Sequence, residues 1–104
     1  MWIYVATSFS RYRKVGAAAR REFESAMQKD GFVHLHPNLF VRYCTTGSNA
    51  AMHKARVKQA IPHSHCDVSI MMIPDSQEQN IYHSLNRRRR RQPACEKPSP
   101  VEFL

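Results

Sequence analysis

The sequence predicts a small α+β domain in which two amphipathic helices lie against one sheet. Two segments, Trp2–Thr7 and Val68–Ile73, are rich in β-branched or apolar residues on both faces, which is typical of central strands. Two stretches with helical spacing of apolar residues lie between these segments. The chain has 104 residues, the size of one domain, and 42% of them are hydrophobic, which is enough to form a modest core.

The first helix is predicted over residues 15–29, after a polar and basic loop that runs from Ser8 to Lys14. Its apolar stripe consists of Val15, Ala19, Phe23, Ala26 and Met27. Gly16 weakens this helix because glycine is a poor helix former. Gly31 is well placed to end it.

The middle of the chain predicts a pair of short strands and the second helix. Residues 32–44 are extended but interrupted at Pro37, because proline cannot donate a hydrogen bond to a strand ladder. Ser48 or Asn49 can cap the second helix, and Pro62 ends it. The apolar stripe of that helix is Ala50, His53, Val57 and Ile61.

The element order is therefore β-α-β-β-α-β, followed by a polar stretch and a short extra strand at residues 81–85. This order is typical of a ferredoxin-like sandwich, with both helices on one face of an antiparallel sheet. The other face would then be a large exposed apolar patch. A second copy packed sheet to sheet would cover that patch, so we expect a homodimer.

The composition changes after Asn86, which divides the chain into a domain at residues 1–85 and a tail at residues 86–104. The tail begins with five arginines, contains three prolines, and is predicted to be disordered. The domain holds ten basic and six acidic side chains, and the tail holds six and two. A basic excess in both parts favours a polyanionic partner. The alternative is a solubilising surface, for which a run of arginines is poorly suited.

The location of the protein is predicted from the same composition. No stretch approaches the roughly 18 apolar residues of a membrane span, and the first residues do not resemble a signal peptide. We therefore expect a cytoplasmic protein that does not enter a membrane. Cys44, Cys66 and Cys95 are irregularly spaced, which predicts two buried thiols and one tail thiol instead of a disulfide framework.

The case for catalysis or metal binding is weak. A nuclease that uses Mg²⁺ needs carboxylates, and Ser8 stands where the first strand would offer one. The remaining acids are expected at scattered loop positions: Asp30, Asp67, Asp75 and Glu78. Four further histidines lack zinc-ligand spacing and are expected to be surface or partly buried residues: His34, His36, His63 and His65. We expect His53 to be a core histidine, and we predict no catalytic residue and no metal site.

Basic residues give a stronger signal. Several lie near the start of the first helix, whose amides also favour a phosphate group. Arg20 and Arg21 extend this charge, although pairing with Glu24 at helical spacing is an equal alternative. The residues predicted to bind nucleic acid are Arg11, Arg13, Lys14, Arg20, Arg87 and Arg88. Contacts of this kind recognise a nucleic-acid backbone and not a base sequence.

Several segments resemble the CRISPR-associated Cas-two family, in the form that accompanies a single large effector nuclease. The segments are Trp2-Ile3-Tyr4-Val5, Lys29-Asp30-Gly31-Phe32, Val41-Arg42-Tyr43-Cys44, Asn49-Ala50 with His53, Arg56-Val57-Lys58 with Pro62, and the basic run near Asn86. They follow in order over nearly the whole chain. The resemblance implies a ferredoxin-like homodimer that acts in spacer acquisition for antiviral defence. It implies that the dimer bridges two dimers of the integrase subunit and holds the middle of the incoming duplex DNA.

The sequence departs from this family at the end of the first strand. Members are often described as Mg²⁺-dependent nucleases, with an aspartate there in a pattern like F-D-L-P. Residues 7–10 read T-S-F-S, so Ser8 takes the aspartate position. A neutral hydroxyl cannot replace a pair of carboxylates around a hard cation. We therefore expect a non-catalytic DNA platform without a magnesium cofactor.

The resemblance also assigns partner contacts and leaves two rival functions. Arg11, Arg13 and Lys14 match the basic region that touches DNA. The apolar residues Val101, Phe103 and Leu104 are similar to a tail that docks on the integrase subunit, where a strand added to the partner's sheet is plausible. The first rival is an Mg²⁺-dependent endoribonuclease or duplex DNase that uses other acids. The second is a toxin-like or antitoxin module that acts on RNA.

Overall fold

The computed structural model describes residues 1–10 and 14–85 of the chain. The strands are β1 (Trp2–Phe9), β2 (Val33–His36), β3 (Leu39–Tyr43) and β4 (Cys66–Ile73), and the helices are α1 (Lys14–Lys29), α2 (Gly47–Ala60) and α3 (Asp75–Glu78). The sheet order is β2-β3-β1-β4, and every neighbouring pair is antiparallel. The predicted β-α-β-β-α-β order and ferredoxin-like sandwich are confirmed.

The central strand β1 divides the molecule into two apolar layers, because successive side chains on a strand point to opposite faces. Ile3 and Val5 lie in the larger core beneath the helices, together with Phe23 and Phe40. The rings of these two phenylalanines meet edge to face at a centroid distance of 5.8 Å. Each of the four side chains is at most 1% exposed, so this layer is closed to water.

The helices follow the predicted stripes closely. In α1, Phe23 and Met27 are buried, and in α2 the buried residues are Ala50, His53 and Val57. The cap of α2 differs from the prediction, because the Thr46 side chain accepts a hydrogen bond from the Asn49 amide at 3.1 Å. The helix begins one residue before the predicted caps, and an earlier hydroxyl therefore meets the free amides.

Residues 74–85, which we call the strap, pack over part of the second face of the sheet. The strap contains α3, and its Ile81 and Leu85 pack against a cluster that includes Trp2 and Tyr4. These two aromatic side chains are 0% and 3% exposed within a single chain. The prediction of a large bare apolar face was therefore wrong, because the chain folds its own strap over the sheet.

The strap also corrects the predicted last strand. Residues 81–85 are not in a strand, and the Ile81 amide instead bonds to the Glu78 carbonyl at 2.9 Å. The apolar residues of this segment are buried against a sheet face, so they need no strand partner. The polar stretch before it was expected to be a loop, yet it forms α3, and the side chain of Glu78 in that helix is buried.

Two findings concern the location and the cysteines. Within residues 1–10 and 14–85, no helix is both long enough and apolar enough to cross a membrane. Cys44 is buried and Cys66 is half-buried, while Cys95 lies outside the described residues. Burial and the neighbouring Asp67 carboxylate raise the pKa of the Cys66 thiol above its usual value.

Candidate nucleic-acid interface

An open depression of about 640 Å³ lies where β1 ends and α1 begins. Its lining comes from the end of β1, the first turns of α1 and the turn between β2 and β3. The lining residues are Ser8, Phe9, Ser10, Gly16, Ala17, Arg20, Arg21, Glu24 and Asn38. The volume is within the range of ligand sites, and the lining mixes cationic, hydroxyl and amide groups.

The depression depends on a close approach between α1 and the end of β1. A Cβ atom placed on Gly16 would lie 2.4 Å from the backbone oxygen of Ser10, which is inside van der Waals contact. The Ser10 amide is itself fixed by a 2.8 Å hydrogen bond to the carbonyl of His65. Gly16 therefore allows the first turn of α1 to rest directly on the strand end. The sequence had indicated only that this glycine weakens the helix.

The positive charge in the depression comes from α1. The Nε of Arg20 donates to Oε2 of Glu24 at 3.0 Å, so the intrahelical pairing considered from the sequence is formed. The Arg20 side chain remains 45% exposed, and a surface pair of this kind contributes little stability. Arg21 lies beside it and is exposed. A phosphate group can therefore compete with Glu24 for Arg20 at little cost.

Most of the sequence-predicted binding residues are not placed by the structure. Arg11 and Arg13 lie outside the described residues, and Lys14 opens α1 without a described side chain. The tail residues also lie outside the description: Arg87, Arg88, Val101, Phe103 and Leu104. The structure brings Ser8 and Arg20 to one depression, and the roles of the other residues stay predictions.

The end of β1 has a neighbour that the sequence did not reveal. Ser8 is exposed and lies directly opposite Asp67 in the antiparallel register of β1 with β4. Residues in such a pair point to the same face, with Cβ atoms about 4.5–5.5 Å apart. Asp67 had been predicted in a loop, because β4 begins two residues earlier than its apolar pattern indicates. A carboxylate therefore stands across from the position where the first strand carries a hydroxyl.

The fit of this strand end to Mg²⁺ can be judged from its donor groups. Ser8 offers a neutral hydroxyl, and Asp67 offers the one carboxylate in that cross-strand pair. Across the described part of the chain, no three side chains of His, Cys, Asp or Glu gather where they could hold a metal ion. The described residues do not form a magnesium site at this strand end.

Several residues that carry the family resemblance form a structural network at the far end of α1. Asp30 Oδ2 lies 2.8 Å from Nδ1 of His53, and its Oδ1 accepts a 2.9 Å hydrogen bond from Arg56. The His53 side chain is 5% exposed, so the expected core histidine is confirmed. This network fastens the end of α1 to α2.

Comparison with known proteins finds similarity in both sequence and structure. No protein-family model matches the chain. The CRISPR-associated endoribonuclease Cas2 of Flavobacterium psychrophilum is 28% identical over 81 residues, which cover 74% of this chain and 66% of that protein. The chain is therefore similar in sequence to a Cas2 protein. The family resemblance inferred from the sequence is thereby confirmed, and it supports a CRISPR-associated function.

A solved Cas2 structure agrees with the fold. The crystal structure of Streptococcus pyogenes Cas2 at pH 6.5 matches with a TM-score of 0.60 and 14% sequence identity. The match covers 83% of this chain and 100% of the other. At that identity the likeness establishes the ferredoxin-like fold alone. The chain spans 66% of the length of its Flavobacterium relative, so the activity of that whole protein does not transfer directly.

Proposed function

We propose that this Cas2-family chain is a cytoplasmic, dimeric DNA platform in spacer acquisition. The dimer holds the backbone of a duplex and bridges dimers of the CRISPR integrase subunit, and it does not cut the DNA itself. The observation that carries this proposal is the depression at the start of α1. It combines exposed arginines with a serine, at the strand end where the family's nucleases would need an aspartate.

Charge supports the backbone contact. The formal net charge of the chain is +8, so its surface attracts a polyanion. In the depression, Arg20 and Arg21 lie next to the first turn of α1, where backbone amides favour a phosphate group. These groups recognise phosphate and carry no base-specific geometry, so we expect affinity without sequence preference.

Two exposed apolar side chains support the dimer. Met71 lies on the sheet face that the strap only partly covers and is 41% exposed, and Tyr82 on the strap is 77% exposed. Met71 pairs with Tyr4 in the register of β1 with β4, which places it on the same face as the strap. A second copy on this side would bury both residues. We therefore keep the dimer proposal, although the strap already covers part of this face.

The DNA contact is tested by removing the charges at the start of α1. The double variant Arg13→Ala with Lys14→Ala should weaken binding to every duplex tested. The slope of log affinity against log salt concentration should become shallower by about 1–2, because up to two phosphate contacts are lost. Fluorescence anisotropy at several salt concentrations measures both quantities. The control is Lys54→Ala with Lys58→Ala on α2, which removes the same charge from a different helix. Equal losses in both variants, or no loss in either, would remove the assigned site.

The partner contact is tested separately. Deletion of residues 100–104 should abolish co-elution with the integrase subunit on a sizing column while the dimer persists. An unaltered complex would show that the apolar tail is not the docking segment. Absence of any complex with the full chain, combined with RNA-dependent toxicity in cells, would favour the toxin-like alternative instead.

A magnesium-dependent nuclease is the second candidate, and the position of Asp67 opposite Ser8 is the observation in its favour. Asp75 is a poorer candidate because it binds the amino group of Met1 at 2.6 Å and accepts a hydrogen bond from Tyr43. Cleavage assays on duplex DNA and RNA with Mg²⁺ should compare Asp67→Asn with Asp75→Asn, with each variant's unfolding measured in parallel. Strong cutting that only Asp67→Asn removes would replace the platform proposal.

A further inference from the structure

The strap is held on the sheet by a buried polar cluster that the proposed function does not use. Tyr4 on β1, Glu78 in α3 and His83 near the end of the strap form this cluster. The side chains of Glu78 and His83 are 1% and 7% exposed. Apolar contacts of Ile81 and Leu85 surround it. Three titratable groups are therefore enclosed between β1 and the strap.

The geometry of the cluster defines its hydrogen bonds. The Tyr4 hydroxyl donates to Oε2 of Glu78 and lies 3.0 Å from Nε2 of His83. Since the hydroxyl proton points to Glu78, the Tyr4 oxygen can accept a hydrogen bond from His83 when Nε2 carries a proton. Nε2 of His83 is 4.0 Å from Oε2 of Glu78. The other carboxylate oxygen of Glu78 is buried without a hydrogen-bond partner, so the cluster is poorly solvated.

We propose that the strap is a pH-sensitive cover: neutral His83 keeps residues 74–85 closed over the sheet, and protonation of His83 releases them. Release uncovers Trp2 and the neighbouring apolar side chains of the second sheet layer. The availability of this face would then depend on pH in the range where histidine titrates. This inference goes beyond the DNA platform. In the proposed dimer the second copy packs on the strap side, so release of the strap there requires the two copies to separate.

The direction of the pH effect follows from the burial of His83. Burial lowers the pKa of His83 from its usual 6.5, and the nearby Glu78 carboxylate opposes that shift without reversing it. Because the pKa is lower in the closed state, the open strap takes up the proton more readily. The closed state is therefore most stable above about pH 6.5, the usual pKa of histidine. It loses stability as the pH falls from there through the lowered pKa that His83 has in the closed state.

The strap has a second anchor that the test must separate from the first. Asp75 at the start of α3 binds the Met1 amino group at 2.6 Å and the Tyr43 hydroxyl at 3.2 Å. These charged and titratable groups also face the strap, and none of them is buried. A substitution at His83 alone leaves this anchor in place, so any change in pH dependence is due to the buried cluster.

Hydrogen exchange followed by mass spectrometry tests the proposal. The amides of Gln77, Glu78, Asn80 and Ile81 form hydrogen bonds within the strap and report its opening. After correction for intrinsic rates, we expect the strap amides of the wild-type chain to exchange roughly threefold or more faster at pH 5.5 than at pH 7.5. The amides of β1 and β3 should show no such change.

Two variants complete the test. His83→Gln keeps a donor near Tyr4 but cannot take up a proton, so the pH dependence of the strap should disappear. His63→Gln, in an exposed loop, should behave as the wild type. If His83→Gln folds poorly, the comparison of strap exchange in the wild-type chain at pH 5.5 and pH 7.5 still tests the proposal. Strap exchange that is independent of pH, that occurs only with global unfolding, or that keeps its pH dependence in His83→Gln would overturn the proposal.

Discussion

Substitution of Gly16 by alanine should destabilise the fold, although alanine is the better helix former. In an exposed helix the change would add about 1 kcal/mol of stability. At this position, however, the new Cβ would lie 2.4 Å from the Ser10 backbone oxygen, which is roughly 1 Å short of an ordinary contact. The obstacle is backbone and not a flexible side chain, so either α1 or the end of β1 must shift.

The expected magnitude follows from these opposing effects. Overpacking of a close contact costs about 1–3 kcal/mol, which exceeds the gain in helix propensity. We expect a net loss of about 1–2 kcal/mol, which corresponds to a fall in Tm of roughly 5–15 °C for a domain of this size. Urea unfolding followed by the fluorescence of Trp2, which is fully buried, measures the change. The shift would also move the lining of the depression, so duplex affinity should fall in the same variant.

A matched control is available at the start of α2. A Cβ atom on Gly47 would meet nothing within 4 Å, so Gly47→Ala should raise stability by about 0.4–1 kcal/mol. The two variants introduce the same methyl group near the start of a helix, and they differ in the space that receives it. If Gly16→Ala were as stable as Gly47→Ala, the close approach of α1 to β1 would be refuted.

Three other predictions concern residues away from the depression. Gly31 has a φ of +83°, and its Cβ would meet the Arg42 guanidinium, so Gly31→Ala should cost roughly 1–2 kcal/mol in urea unfolding. Asp30→Ala leaves the buried His53 without its partner and should cost about 1–3 kcal/mol, whereas a value near zero would mean that the network does not fasten the helices. Cys66, whose pKa is raised, should react with iodoacetamide more slowly at pH 8 than cysteine in a short peptide, because less thiolate is present. Equal alkylation rates by mass spectrometry would contradict that shift.

The parts of the fold that the sequence predicts well are those whose pattern is local. The buried stripe of α2 follows from its spacing, and β1 follows from an apolar run of aromatic and β-branched residues. The strap was missed because its signal is not local. Glu78 is a charged residue in a polar stretch, which indicates a loop, and its burial depends on Tyr4, 74 positions earlier in the chain. No periodicity in residues 74–85 reveals that contact.

The candidate site shows the same limit. Ser8 was located at a strand end from the sequence, and Arg20 was assigned to the charged face of α1. The position of Asp67 opposite Ser8 depends on the register of two strands that are far apart in sequence. A single chain does not specify that register, because a shift by one residue would turn Asp67 to the other face. The sequence prediction would have had to start β4 two residues earlier for Asp67 to be recognised as a strand residue.

The place of β4 at the sheet edge bears on how this protein must be handled. It is eight residues long, and in the described part of the chain β1 is the one strand that pairs with it. Its sequence, CDVSIMMI, contains neither lysine nor proline, the residues that commonly discourage edge-to-edge pairing. Concentrated or partly unfolded samples should therefore tend to self-associate through this strand. A lysine in place of the exposed Ser69 is the simplest change to prevent it.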